Sequence, residues 1–121
     1  MDVHNLHSTE PFVTKDGSEI RELLAHRNSV IQKQSLAEAR LPPGNATTAH
    51  YHRSTEEIYY ILCGTANMVI GDESRQVKQG DAIAIPPGQV HQITNTGEKT
   101  LHILCCCTPP YEDNDTVLVE N

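Results

Sequence analysis

The chain has 121 residues, a formal net charge of −7, a single Phe and no Trp, which fits one domain with a modest, mainly aliphatic interior. The acidic balance includes no basic stripe and argues against a nucleic-acid partner, and no apolar run is long enough to span a bilayer. With no secretory h-region in "MDVHNLHSTEPF", a cytoplasmic protein is expected, its four cysteines reduced rather than paired. So small a core would gain from burying a face against a second copy, which favours a homodimer.

The first predicted element is a short helix over "DGSEIRELLAHR". Asp16 is placed as its cap, Glu19 as the capping-box partner, and Ile20, Leu23 and Leu24 on one face. From Ser29 onward the helical period is gone. Short segments near 30–41, 47–53, 57–63, 65–70, 75–78, 82–85, 90–95 and 100–107 alternate with turn residues: "PPGN", Gly64, "GDES", "QGD", "PPG" and "NTGEK". Many short strands at this spacing predict an all-β sandwich or small barrel. The end of the chain holds the acids Glu112, Asp113, Asp115 and Glu120 and reads as a solvated tail, in which "TVLV" would add an edge strand.

Two segments bear the chemistry. In "AHYHRSTEE", His50 and His52 are two residues apart, so on a strand they point the same way. Glu57 returns to that side if the chain reverses through Arg53–Glu56. Imidazole and carboxylate are ordinary ligands for divalent first-row metals. A further ligand is expected from a distant strand, and His91, just after the Pro86-Pro87-Gly88 turn, is the candidate. A buried carboxylate such as Glu57 also needs a cationic partner, which a divalent ion would be.

Gly44, His50, His52, Glu57 and Gly64 resemble the first cupin motif, and Gly80, Pro86, Gly88, His91 and Asn95 resemble the second, with every spacing met. The resemblance covers about half of the chain. It implies a small antiparallel β-barrel or jelly roll at 29–107, flanked by an N-terminal segment (1–28) whose helix packs on it and an acidic tail (108–121). It further implies one divalent transition metal ion (Fe, Mn, Ni, Zn or Co) held by His50, His52, Glu57 and His91, with open positions facing the barrel mouth.

Alternation from Glu57 carries Tyr59, Ile61 and Cys63 to the inner face. Tyr59 is the candidate acid/base group, as its phenol would reach a bound ligand. The strand before Pro42 has a small apolar face, Ala37-Ala39-Leu41, and a mixed one, Gln34-Leu36-Glu38-Arg40; the first facing inward gives an aliphatic pocket, the second a polar one. Cys105 and Cys107 share a face, opposite Cys106, and read as small buried hydrophobes. The functional expectation is a metal-dependent enzyme on a small polar metabolite, either a substrate-chelating dioxygenase or a Lewis-acid isomerase or lyase. The alternative is a non-catalytic sensor or carrier that uses the centre only to hold a small ligand.

Overall fold

The structure is a computed structural model that describes residues 1–119; Glu120, counted above among the tail acids, lies outside them. Strands are β1 (Phe12–Val13), β2 (Glu19–Leu24), β3 (Ser35–Leu41), β4 (His50–His52), β5 (Glu56–Cys63), β6 (Thr65–Ile70), β7 (Glu73–Lys78), β8 (Ala82–Ile85), β9 (His91–Asn95), β10 (Leu101–Thr108) and β11 (Thr116–Leu118). They form two antiparallel sheets in the orders β1-β2-β3-β10-β5-β8 and β11-β4-β9-β6-β7. Period-two alternation decides what each buries. On β5, Glu57, Tyr59 and Ile61 are buried while Ile58, Tyr60 and Leu62 are exposed; on β10 the buried set is Leu101, Ile103, Cys105 and Cys107. Between the sheets Leu41, Ile61, Ile85, Ile93, Leu101 and Ile103 form the core. Truncating one of them, as in Ile93→Ala, would cost about 2–5 kcal/mol.

The expected closed barrel is not what forms. Among the described residues no strand of one sheet pairs with a strand of the other, so the layers face each other as a sandwich. Closure would have to join the sheet edges, β8 to β7 and β1 to β11, and each of these strands pairs only within its own sheet.

The N-terminal helix is also corrected. Residues Glu19–Leu24 form strand β2, paired with β1 and β3, and the helical content nearby is a 3-10 turn at Leu6–Ser8. Asp16 does cap a local structure, but that structure is a hairpin. Its Oδ1 accepts from the Ser18 N–H at 2.9 Å, Gly17 sits at φ +90°, and the Thr14 N–H donates to the Ser18 carbonyl. A left-handed glycine right after the cap excludes a helical first turn, and the edge of β3 offers β2 a full ladder. Tertiary pairing outweighs weak helix propensity here.

On β3 the small apolar face looks inward: Ala39 and Leu41 join the core. Glu38 lies on the outer face, where it is 2% exposed, pairs with the Arg40 guanidinium and lies 3.6 Å from His102. The C-terminal acids are less free than a solvated tail implies. Glu112 pairs with His26 and Arg27, and the Asp115 carboxylate accepts the N–H groups of Ser54 and Thr55. These contacts bring β11 alongside β4 at the edge of the second sheet. No helix among the described residues is long and apolar enough to cross a membrane.

Candidate metal centre

His50 and His52 leave β4 on its inner face, and His91 stands directly beside His50 because the two are register partners on β4 and β9. Gly88 fixes that neighbour relationship. At φ +78° its N–H reaches the His52 carbonyl at 2.7 Å, which ties the Pro86-Pro87-Gly88 turn to β4 just ahead of His91. All three imidazoles are buried, with ring centroids 4.2 Å (His50–His91), 5.3 Å (His50–His52) and 5.5 Å (His52–His91) apart. One ligand nitrogen from each lies within 4.8 Å of the other two.

Each ring is oriented from behind. His50 Nδ1 contacts the Thr48 carbonyl at 2.7 Å and His91 Nδ1 the Gln89 carbonyl at 3.0 Å, while His52 Nδ1 meets Thr116 Oγ1 at 3.0 Å. A carbonyl only accepts, so Nδ1 of His50 and His91 carries the proton and the Nε2 lone pair is left free. Such outer partners are what fix metal-ligating histidines. Burial, and then the neighbouring His50, push His91 down to about 4, so its ring is neutral at neutral pH.

Glu57 reaches the trio from β5, in the facing sheet. Its Oε1 is 3.2 Å from His52 Nε2 and 3.7 Å from His91 Nε2, and its Oε2 accepts from the Cys107 thiol at 3.3 Å. Among the described residues, Glu57 Oε1 and His91 Nε2 are buried without a hydrogen-bond partner. Leaving such atoms unpaired is costly. Two ligand atoms on one first-row ion, each bonded at about 2.1 Å, lie roughly 3–4 Å apart, so the unpaired atoms and their spacing fit a shared divalent ion.

Tyr59 is buried beside this cluster, its ring edge-on to His91 at 6.0 Å; burial, and then Glu57, raise its hydroxyl well above the usual phenol range. The cavity beside His50, His52 and Glu57 opens about 40 Å³ to the centre of a water molecule and has Ala37, Ala39, Leu41 and Ile103 on its aliphatic side. Cys105 and Cys107, which share a face, both line it, and burial raises both thiols, so neither is a ready thiolate. Asn95, the last residue of the second motif, touches no imidazole. It holds the β9–β10 turn by donating to the Leu41 and Lys99 carbonyls and accepting from the Gly97 N–H.

Three contributors escaped the sequence reading. Asp16 Oδ2 comes within 3.6 Å of His50 Nε2; the dipeptide Asp-Gly, a hairpin signal, was there to be read. Thr116 and Cys107 act from behind His52 and Glu57, and nothing in their local sequence marks them.

Residues 37–107 match the family described as a cupin domain. This chain belongs to the cupin family. The cupin is 50% identical over 111 residues to an uncharacterized protein of Methanocaldococcus jannaschii, covering 92% of this chain and 89% of the relative. It is 33% identical over 86 residues to an oxalate-binding protein of Thermotoga maritima, with 71% of each chain covered. Among solved structures it is similar to a predicted oxalate decarboxylase from the same organism, at a TM-score of 0.78 and 27% identity, covering 89% of this chain and 99% of that one.

Proposed function

We propose that this cupin holds one divalent transition metal ion on His50, His52, His91 and Glu57 and is a metal-dependent enzyme acting on a small polar metabolite that binds through its oxygen atoms. The observation that carries the reading is the pair of buried unpartnered atoms, Glu57 Oε1 and His91 Nε2, facing one another inside a trio of oriented imidazoles. A bound ion would supply Lewis acidity or, if iron, a site for dioxygen.

The chain's own groups do the rest. The narrow cavity admits only a small ligand, and its aliphatic wall keeps bulk water from the reacting atoms. The Tyr59 hydroxyl, kept protonated by burial, would donate a hydrogen bond to a ligand oxygen. Having Tyr59 and Asp16 at the cavity favours redox-neutral isomerase or lyase chemistry over the dioxygenase alternative. Glu38, the single acid on β3, faces away and has no part.

The oxalate-binding relative favours a second reading, a binding module that only holds a small ligand. Metal analysis of protein purified without added metal, followed by turnover and oxygen uptake on small α-hydroxy, α-keto and dicarboxylic compounds, separates the two. Product formation without oxygen uptake is expected; tight binding with no turnover of any compound would favour the module. A second copy of the chain is proposed as partner for the outer face of the first sheet, and the free thiols of all four cysteines fit a cytoplasmic setting.

A further inference from the structure

We infer that Asp16 sets the ligand class of this centre, selecting a neutral, hydroxyl-bearing molecule and disfavouring a dicarboxylate. The inference rests on the metal-centre reading above and adds to it a residue outside both sequence motifs.

The two oxygens of Asp16 have different surroundings. Oδ1 accepts from Thr14 Oγ1 at 2.8 Å, the Ser18 N–H at 2.9 Å and Ser18 Oγ at 2.7 Å. Those donors lock the carboxylate in one orientation and leave Oδ2 aimed at the trio, 3.6 Å from His50 Nε2. That separation matches the 3.7 Å between Glu57 Oε1 and His91 Nε2. Asp16 therefore faces the same space as the imidazole nitrogens, from the β1–β2 hairpin. Its side chain is 13% exposed, and among the described residues Oδ2 has no hydrogen-bond donor.

Charge decides what that space accepts. A divalent ion is neutralised by Glu57 and Asp16 together, since the imidazoles are neutral ligands. Among the described residues no Lys or Arg lines the cavity, and the one other acid on its wall apart from Glu57 and Asp16, Glu22, is paired with Arg27 at 2.7 Å. A dianion entering here meets no spare positive charge, and its repulsion from Asp16 is strong at low exposure. A hydroxyl ligand instead gives Oδ2 the donor it lacks, in a charge-assisted bond. One relative is described as oxalate-binding; Asp16 sets this chain against that ligand.

The test is calorimetric titration of Mn(II)-loaded wild type and Asp16→Asn with two probes, oxalate and the neutral α-hydroxyketone hydroxyacetone. The asparagine oxygen still accepts from Ser18 and Thr14, so the turn survives; Asp16→Ser, which removes the charge and also forms such turns, serves if the first variant fails to fold. Asp16→Asn is expected to bind oxalate at least tenfold more tightly than wild type and hydroxyacetone at least tenfold more weakly. Equal oxalate affinity in both proteins, or hydroxyacetone affinity unmoved, overturns the assignment of Asp16 alone. No Mn(II) uptake by the wild type overturns the centre and this inference together.

Discussion

Thr116 stands behind His52: its Oγ1 is 3.0 Å from His52 Nδ1 and donates its own hydrogen bond to the Glu112 carbonyl at 3.1 Å. With its hydrogen donated onward, that hydroxyl accepts from Nδ1–H, so His52 is left with a free Nε2 like its two neighbours. The other two rings lean on main-chain carbonyls, which substitution does not remove. His52 alone depends on a side chain, and that side chain sits on β11, 64 residues away.

Replacing Thr116 with Val keeps shape and burial while removing the acceptor. Metal affinity is expected to fall about tenfold or more, the usual effect of losing such an outer partner. Thr116→Ser should stay near wild type. Competition with a chelator of known affinity measures both.

His91→Ala removes the β9 ligand altogether. Bound metal is expected to drop sharply, with the fold retained as judged by circular dichroism. Unchanged stoichiometry by elemental analysis would remove His91 from the centre.

Cys107→Ala takes away the thiol that donates to Glu57 Oε2. A buried carboxylate oxygen then lacks its donor, and metal-free protein should lose about 1–3 kcal/mol of stability in chemical denaturation. Cys107→Ser restores a donor and should recover most of it.

Acid should weaken the metal-free protein through His91. Its folded value is pushed down to about 4, against 6.5 in the unfolded chain. Between those values the unfolded state binds the extra proton. The stabilising contribution is therefore intact above about pH 6.5 and is lost as pH falls toward 4. Thermal midpoints of metal-free protein across that window should decline, and less so in His91→Gln.

The outer face of the first sheet carries Ile58, Tyr60 and Leu62 in a row, 48%, 42% and 37% exposed, beside Leu104 and Cys106 on β10. We propose that a second copy covers this apolar row as a homodimer. Tyr60→Glu should convert a dimer to a monomer on sizing with the melting temperature of the monomer fold preserved. A monomeric wild type at micromolar concentration would refute the dimer.

Legibility in the sequence followed the kind of signal. From β3 to β10 the strands lie close to their expected ranges, because alternation and turn residues are local and agree with the tertiary fold. The three histidines were legible because strand parity fixes direction and the motif spacing fixes which strands meet. The helix over 16–27 failed because Ile20, Leu23 and Leu24 satisfy a helical period by accident, while the free edge of β3 and the Asp16-Gly17 turn favour a strand. Barrel closure failed for a different reason: whether the edge strands β8 and β7, or β1 and β11, meet is decided by the twist of whole sheets, which no local pattern records. Asp16, Cys107 and Thr116 support the centre through contacts between distant segments, and residue type alone does not reveal those.

The histidines hang from one sheet and Glu57 from the other. Any cation gripped by both would clamp the two layers together like a rivet through facing plates. Occupancy and rigidity would then rise and fall as one, so that starving cells of the ion would shorten the life of the polypeptide as well as silence its pocket.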